Sequence, residues 1–150
     1  MSSIIPRNPS AEFMRLNPHL FGAPTVVVQR SIVGLSFRIT GQIRGGKNNM
    51  IVTRTGKHFP KPEWARWRDT TVSELQRQLP AHWKPVAVPM NVRLDYVAGD
   101  KRRRDMPAII DAIWHAMEKA GVVEDDTLLW VSQSSRAYSK ESPCAVITFL

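Results

Sequence analysis

The stretch "NVRLDYVAGDKRRRDMPAIIDAIWHAMEKAG", residues 91–121, decides the fold because it joins a strand pattern, a basic loop and a helix pattern. Its first part alternates apolar and polar residues, which predicts a strand with one buried face carrying Val92, Leu94 and Tyr96. After the loop, apolar residues recur at helical spacing at Ile109, Ile110, Ile113, Trp114 and Met117. Pro107 suits the first helical position and Gly121 suits the C-terminal cap.

The remaining chain extends this pattern in both directions. Further strands are predicted around "LSFRITG" (35–41), "MIVTRTG" (50–56), "TLLWVSQ" (127–133) and "CAVITFL" (144–150). A second helix is predicted within residues 57–80, with Pro62 near its start and Pro80 at its end. The order β-β-α-β-α-β-β predicts an α+β fold in which two main helices cover a mixed sheet. Residues 1–24 have prolines and no apolar period, which predicts an extension before a domain over 25–150.

Composition narrows the class of partner. With 21 basic and 13 acidic residues, the 150-residue chain carries a net charge of +8, which favours a polyanionic partner without identifying it. The single cysteine, Cys144, excludes a disulfide framework within the chain and a cysteine-rich zinc site, and it suits a reducing compartment. No secretory or membrane-spanning pattern is present, so we expect a soluble cytoplasmic protein that has no membrane partner.

Carboxylates flank the helix that follows the basic loop. Asp105 precedes the helix, Asp111 lies one turn inside it, and Asp125 and Asp126 follow its C-terminal glycine. If the next strand lies beside the strand that contains Asp95, these side chains can converge. Converging carboxylates offer the oxygen ligands that Mg²⁺ needs, and a bound Mg²⁺ can orient water and offset charge on a phosphodiester.

The basic run, Lys101, Arg102, Arg103 and Arg104, would then hold a nucleic-acid backbone beside the metal. The alternative is an ordinary surface: a solvated basic patch, and an aspartate that serves only the helix dipole. The residue spacing alone leaves both interpretations open.

The motifs "RRRDM" and "EKAGVVEDD", with the strand "NVRLDYVAGD" before them, resemble the RusA family of phage and prophage Holliday junction resolvases. The resemblance covers residues 35–150 approximately. It implies a RusA-like two-layer fold and an Mg²⁺-dependent endodeoxyribonuclease, with Mn²⁺ as a possible substitute. It also implies that a homodimer resolves four-way DNA junctions during recombination and repair, with one site for each of two symmetry-related strands.

Carried over residue by residue, the resemblance implies that Asp105 and Asp126 are catalytic metal ligands and that Asp125 assists as a neighbouring ligand. This chain departs from the family at two functional positions. Pro107 stands where the family has a second aspartate, followed by Ala108 instead of asparagine, and Asp111 stands where the family has a catalytic lysine.

Helix geometry offers an explanation for these departures. Asp111 is the i+4 neighbour of Pro107, about 6 Å further along the helix axis, so it could act as a relocated third catalytic carboxylate and metal ligand. His115 extends the same face and could support the site or bind the metal. The alternative for both is a solvent-exposed polar face, which Glu118 would continue.

Other basic and aromatic residues suggest further DNA contacts. The loop "GGKNN" (45–49) contains Lys47, Asn48 and Asn49, which by resemblance border the site, and Arg54 follows as an additional cation. Trp64 and Trp67 alternate with arginines, a pattern that can stack bases but is more typical of the buried stripe of a helix.

Two other functions compete with a junction-resolving nuclease. Pro107 and Asp111 are also compatible with a catalytically weakened RusA-like protein that binds junctions without cutting them well. The charge alone is compatible with a basic structural nucleic-acid-binding protein whose aspartates have no catalytic role.

Overall fold

The computed structural model describes residues 32–45 and 50–150, and Gly34–Leu150 forms one compact unit. The predicted extension, residues 1–24, lies outside the described residues. The elements in chain order are β1 (Ser36–Thr40), β2 (Met50–Val52), β3 (His58–Pro60), α1 (Pro62–Gln78), β4 (Met90–Ala98), α2 (Met106–Lys119), a 3₁₀ turn (Asp126–Leu128), β5 (Leu129–Tyr138) and β6 (Cys144–Phe149). Neither α1 nor α2 is long and apolar enough to span a membrane.

The main sheet has four strands in the order β1-β6-β4-β5. β6 pairs antiparallel with both β1 and β4, whereas β5 pairs parallel to β4, which makes the sheet mixed. The parallel pair is joined through α2, as a crossover connection requires. The predicted α+β class with a mixed sheet and two main helices is therefore confirmed.

One face of the sheet is buried and the other is open. Along β4, Val92, Leu94 and Tyr96 are buried, whereas Arg93 is exposed and Asp95 is half-buried on the opposite face. This alternation follows from the two-residue period of a strand. The buried face continues through β1 and β6, where the large core side chains are Phe37, Ile39, Ile147 and Phe149.

The two helices complete the second layer. The apolar stripe of α2 is buried at Ile109, Ala112, Ile113, Trp114, Ala116 and Met117. Pro107 stands in the first turn of α2, and Gly121 follows the helix with a φ of 76°, a left-handed conformation that glycine adopts readily. The helix therefore begins and ends close to where the sequence predicts.

The region before α1 differs in detail from the sequence pattern. Residues 57–80 predict a helix, but His58–Pro60 forms β3 and pairs antiparallel with β2 in a separate hairpin. Pro60 and Pro62 explain the boundary, because a residue that precedes proline is disfavoured in the helical conformation. The helix consequently begins only at Pro62.

Side chains from α1 close the outer edge of β1. The Gln78 side chain accepts a hydrogen bond from the Arg38 backbone N–H and donates one to the Arg38 carbonyl, both at 2.7 Å. The Glu74 carboxylate accepts from the Thr40 backbone N–H at 3.1 Å. These bonds occupy backbone groups that an edge strand otherwise leaves available for pairing.

Candidate active site

Helix α2 presents a polar face that borders a cavity of about 330 Å³. Asp111 and His115 are one turn apart on this face, and Asp105 stands at the position that precedes the helix. The residues that line the cavity are Trp64, Asp105, Pro107, Ala108, Asp111, Ala112 and His115. The structure therefore brings together two of the predicted carboxylates and the histidine.

A second group of carboxylates, which we call the acidic cluster, consists of Glu118, Asp125 and Asp126. One carboxylate oxygen from each residue lies within 4.8 Å of the others. The backbone N–H of Asp126 donates a hydrogen bond to the Glu118 carboxylate at 3.1 Å. Carboxylate oxygens at such spacing fit a hard divalent cation.

The path of the chain after α2 explains how Asp126 reaches this position. Beyond Gly121, the chain runs back beside the helix and forms an isolated parallel bridge between Val86 and Val123. It then enters β5, which lies directly beside β4. Asp95 of β4 does not join the carboxylates, because it lies on the open face of the sheet and bonds with Arg93 and Ser135.

The electrostatic environment distinguishes the two adjacent aspartates. Burial raises the pKa of the Asp126 carboxyl, and the nearby charges of Glu118 and Asp125 raise it further. Hydrogen bonds from the Thr127 side chain and backbone lower the pKa of the exposed Asp125 carboxyl. The arrangement thus concentrates unfavourable negative charge at Asp126, which is the condition that a bound cation relieves.

Asp111 and His115 connect the cavity with the acidic cluster. Both residues interact electrostatically with Asp126: His115 lowers the pKa of the Asp126 carboxyl, and Asp111 raises it. Both also line the cavity that Asp105 borders. These two helix positions therefore border the cavity with Asp105 and also lie within electrostatic range of Asp126.

The His115 ring packs against an indole from the other helix. The ring centroids of His115 and Trp64 are 6.0 Å apart with an interplanar angle of 31°. The Arg68 guanidinium lies 5.4 Å from the centroid of the Trp64 ring, a cation–π arrangement. Trp64 is buried, as a core residue should be, but it also forms a wall of the cavity.

The basic loop, residues 99–105, connects β4 to α2 and is held by contacts of its own residues. At its start, the Gln42 side chain accepts from the Gly99 N–H at 2.6 Å, and a Cβ at Gly99 would lie only 2.8 Å from that oxygen. Arg104 donates to Asp100 at 2.6 Å, and the Lys101 ammonium lies 5.4 Å from the centroid of the Tyr138 ring.

Arg102 and Arg103 are exposed, and in the described part of the chain neither guanidinium forms a salt bridge, although the charge of Arg102 helps to lower the pKa of the Asp100 carboxyl. Arg54 is also exposed, in the turn between β2 and β3. Lys47, Asn48 and Asn49 lie outside the described residues. Just before them, a Cβ at Gly45 would lie 3.3 Å from the Ala108 Cβ, so the chain enters this loop close to the start of α2.

Two residues near the candidate site were not predicted as part of it. Glu118 was expected only to continue a polar face, and Trp64 was expected to be either core or a base-stacking residue. Helical spacing could have indicated that Glu118 belongs to the site, because it is three residues beyond His115 on the same face of α2. Only the packing of α1 against α2 places Trp64 at the cavity.

A mixed sheet covered by two helices, with carboxylates along one helix and a basic loop before it, defines an α+β protein with a candidate cation site, an arrangement that is consistent with a RusA-like fold. The chain is similar to a protein named crossover junction endodeoxyribonuclease RusA from Aquifex aeolicus (strain VF5), with 26% identity over 102 residues. The match covers 67% of this chain and 78% of that protein. No family model matches the chain. The predicted resemblance to RusA resolvases is confirmed by this similarity.

Proposed function

We propose that this protein is a metal-dependent, structure-selective endodeoxyribonuclease that resolves four-way DNA junctions in recombination and repair. The proposal rests on one observation: carboxylates lie before, within and just after α2 in a chain that is similar to RusA. Asp105 and Asp111 line the cavity, and Asp126 interacts electrostatically with Asp111. The similarity to a crossover junction endodeoxyribonuclease supports branched DNA as the substrate.

The donor set fits a divalent cation, and Mg²⁺ is the proposed cofactor, with Mn²⁺ as a substitute. The acidic cluster of Glu118, Asp125 and Asp126, whose carboxylate oxygens lie within 4.8 Å of one another, would hold the metal, and Asp105 and Asp111 are proposed as further ligands from the adjoining cavity. When bound, such an ion orients water and offsets negative charge at the phosphodiester. The exposed guanidinium groups of Arg102 and Arg103 would hold the backbone of the substrate next to it.

We also propose that the protein acts as a homodimer that pairs through β5. β5 stands at one end of the sheet, and all its residues after Leu129 are exposed. Among the described residues, no side chain caps its outer backbone groups, in contrast to β1. Trp130, Val131 and Tyr138 add exposed apolar surface, and a two-fold axis beside β5 would bring identical edges together.

The departures from the family pattern favour one alternative function. Pro107 removes a carboxylate, and Asp111 replaces a lysine with an opposite charge. If Asp111 does not restore the third ligand, the same surface would bind junctions without cutting them efficiently.

A cleavage assay on a synthetic four-way junction tests the proposal. We expect the full-length chain to cut the junction when Mg²⁺ or Mn²⁺ is present and to leave it intact in EDTA. Duplex DNA of the same sequence should be cut far less. Tight junction binding without cutting in either metal would establish the alternative function, and equal binding of duplex and junction DNA would contradict both.

A further inference from the structure

The hairpin of β2 and β3 exposes apolar side chains that the rest of the fold leaves uncovered. Met50, Ile51, Val52 and Phe59 are each between 39% and 60% exposed. All three residues of β2 are exposed, and in β3 only Pro60 is half-buried. A two-stranded hairpin without a buried face is marginally stable in water. Apolar side chains grouped on such an element indicate a surface that contacts a partner.

The register of the hairpin determines which apolar side chains act together. Ile51 lies directly opposite Phe59, so these two side chains share one face, whereas Val52 lies on the other face opposite His58. The turn is closed by backbone hydrogen bonds: the Thr53 N–H donates to the Lys57 carbonyl at 2.8 Å, and the Gly56 N–H donates to the Thr53 carbonyl at 2.9 Å. The Ile51–Phe59 pair is therefore presented on a closed hairpin and not on an open loop.

The charge of the hairpin indicates what kind of partner it contacts. Residues 50–62 contain no acidic residue, whereas Arg54 and Lys57 are exposed at the turn. Exposed cations bind phosphates, and an exposed aromatic ring can stack on a nucleic-acid base. A second copy of the hairpin would instead place like charges against each other. Charge complementarity thus selects a nucleic acid as the partner.

Both ends of the hairpin are connected to the walls of the candidate active site. On the side before β2, a Cβ at Gly45 would lie 3.3 Å from the Cβ of Ala108, which lines the cavity. On the side after β3, the first turn of α1 contains Trp64, which lines the same cavity. A salt bridge of 3.2 Å between Arg44 and Glu63 joins the two sides. The hairpin therefore extends from the rim of the cavity.

We propose that the Ile51–Phe59 pair inserts against the bases at the branch point of a four-way junction, so that the hairpin distinguishes a junction from duplex DNA. The inference rests on the proposed function, whose selectivity for DNA structure it assigns to particular residues. At a branch point the stacking of bases is interrupted, so an apolar side chain can contact the face of a base. A continuous duplex must first be unstacked, which costs free energy.

Binding measurements in EDTA test the proposal without requiring cleavage. Fluorescence anisotropy gives the affinity of the full-length chain for a synthetic four-way junction and for duplex DNA of the same sequence. Phe59→Ala removes the ring, and Phe59→Tyr retains it. Val52→Ala is the matched control, because Val52 is 60% exposed on the opposite face of the same hairpin.

We expect Phe59→Ala to lose on the order of tenfold in junction affinity and little in duplex affinity, because only the junction offers a base to stack on the ring. The salt dependence of its binding should stay unchanged, since no charge is lost. Phe59→Tyr and Val52→Ala should bind both DNAs as the unmodified chain does. An unchanged junction affinity for Phe59→Ala would overturn the proposal, as would an equal loss on both DNAs or an equal loss in Val52→Ala.

A fluorescent base keeps the test decisive even where Phe59→Ala does not fold. 2-Aminopurine next to the branch point fluoresces more strongly when it is unstacked. Its fluorescence should rise when the unmodified chain binds the junction, and it should stay constant when the chain binds a duplex with the same label. A constant signal from the bound junction would overturn the proposal.

Vesicles of phosphatidylcholine and phosphatidylserine test the other partner that apolar and basic residues can fit. The unmodified chain should not sediment with them. Vesicle binding that depends on Phe59, together with junction binding that does not, would overturn the proposal in favour of a membrane surface.

The outcome is distinguishable from that of the proposed function. Junction cleavage together with unchanged junction affinity in Phe59→Ala would retain the nuclease and exclude the role of the hairpin. Selective junction binding that depends on Phe59, without cleavage in Mg²⁺ or Mn²⁺, would retain the role of the hairpin and exclude the nuclease.

Discussion

The backbone N–H of Asp126 donates to the Glu118 carboxylate across 3.1 Å, which ties the turn before β5 to the last turn of α2. This bond holds two carboxylates close together, although like charges repel each other. Burial and repulsion from Glu118 both contribute to the raised pKa of the Asp126 carboxyl, so ionisation of this cluster opposes folding.

Asp126→Asn is expected to stabilise the metal-free protein. Because the native pKa of Asp126 is raised above its ordinary value of 3.8, the native state binds this proton more tightly than the unfolded state does, and ionisation at neutral pH favours unfolding. The variant should melt about 2 °C higher than the unmodified chain at pH 7 in EDTA. The difference should shrink as the pH falls through the native pKa and vanish below 3.8.

Glu124→Gln, at an exposed position two residues earlier, is the control and should melt within about 1 °C of the unmodified chain. A lower melting temperature for Asp126→Asn at pH 7 in EDTA would contradict the proposed repulsion. Full junction cleavage by this variant would contradict its role as a ligand.

Asp111→Asn tests whether the third carboxylate has moved along α2. If Asp111 is a ligand, the variant should lose on the order of a hundredfold in junction cleavage while still binding the junction, because the basic loop is intact. Asp69→Asn, on the exposed surface of α1, should retain full activity. Unchanged cleavage by Asp111→Asn would refute the relocation but leave Asp105 and Asp126 as candidate ligands.

Arg103→Ala should weaken DNA binding through the loss of one phosphate contact. The slope of log affinity against log salt concentration should become smaller in magnitude by about 1, and junction and duplex DNA should be affected alike. Fluorescence anisotropy at several salt concentrations measures this slope. Arg77 is an exposed arginine in the last turn of α1, and Arg77→Ala should leave the slope unchanged. If Arg103→Ala has the same slope as the unmodified chain, Arg103 does not contact DNA.

Trp130→Glu should dissociate the proposed dimer, because it places a charge on the edge strand where Trp130 is 63% exposed. Sedimentation velocity should show the unmodified chain at twice its 17.0 kDa mass and the variant at the mass of a single chain. Phe59→Glu is the control, because it also replaces an exposed aromatic residue by a charge. Phe59 is 51% exposed but lies on β3, so this variant should remain dimeric. A dimeric Trp130→Glu variant would exclude pairing through β5.

The sequence predicts the centre of this fold well because local periodicity and burial agree there. Val92, Leu94 and Tyr96 alternate as a one-sided strand must, and α2 begins near a proline and is followed by a glycine. The hairpin before α1 was not predicted as such, because "KHFP" carries no clear alternation and lies next to a strongly helical pattern.

The candidate site is only partly predictable for a related reason. Motif matching selects Asp105 and Asp126, and helical spacing selects Asp111. Glu118 and Trp64 depend on tertiary packing: the first joins Asp126 only when the chain turns back along α2, and the second reaches the cavity only when the helices meet. No local pattern encodes either relationship.

The hydrogen bonds from Gln78 to both backbone groups of Arg38 also limit how the protein can assemble. A sheet with two available edges can add copies without end and form fibres. Here side chains of α1 occupy backbone groups of Arg38 and Thr40 at one edge of the main sheet, so the proposed pair of chains joined at β5 would have no fully free edge of that sheet left for a third chain. The same two hydrogen bonds that secure α1 to the sheet would thus limit the proposed assembly to a pair of chains along the main sheet.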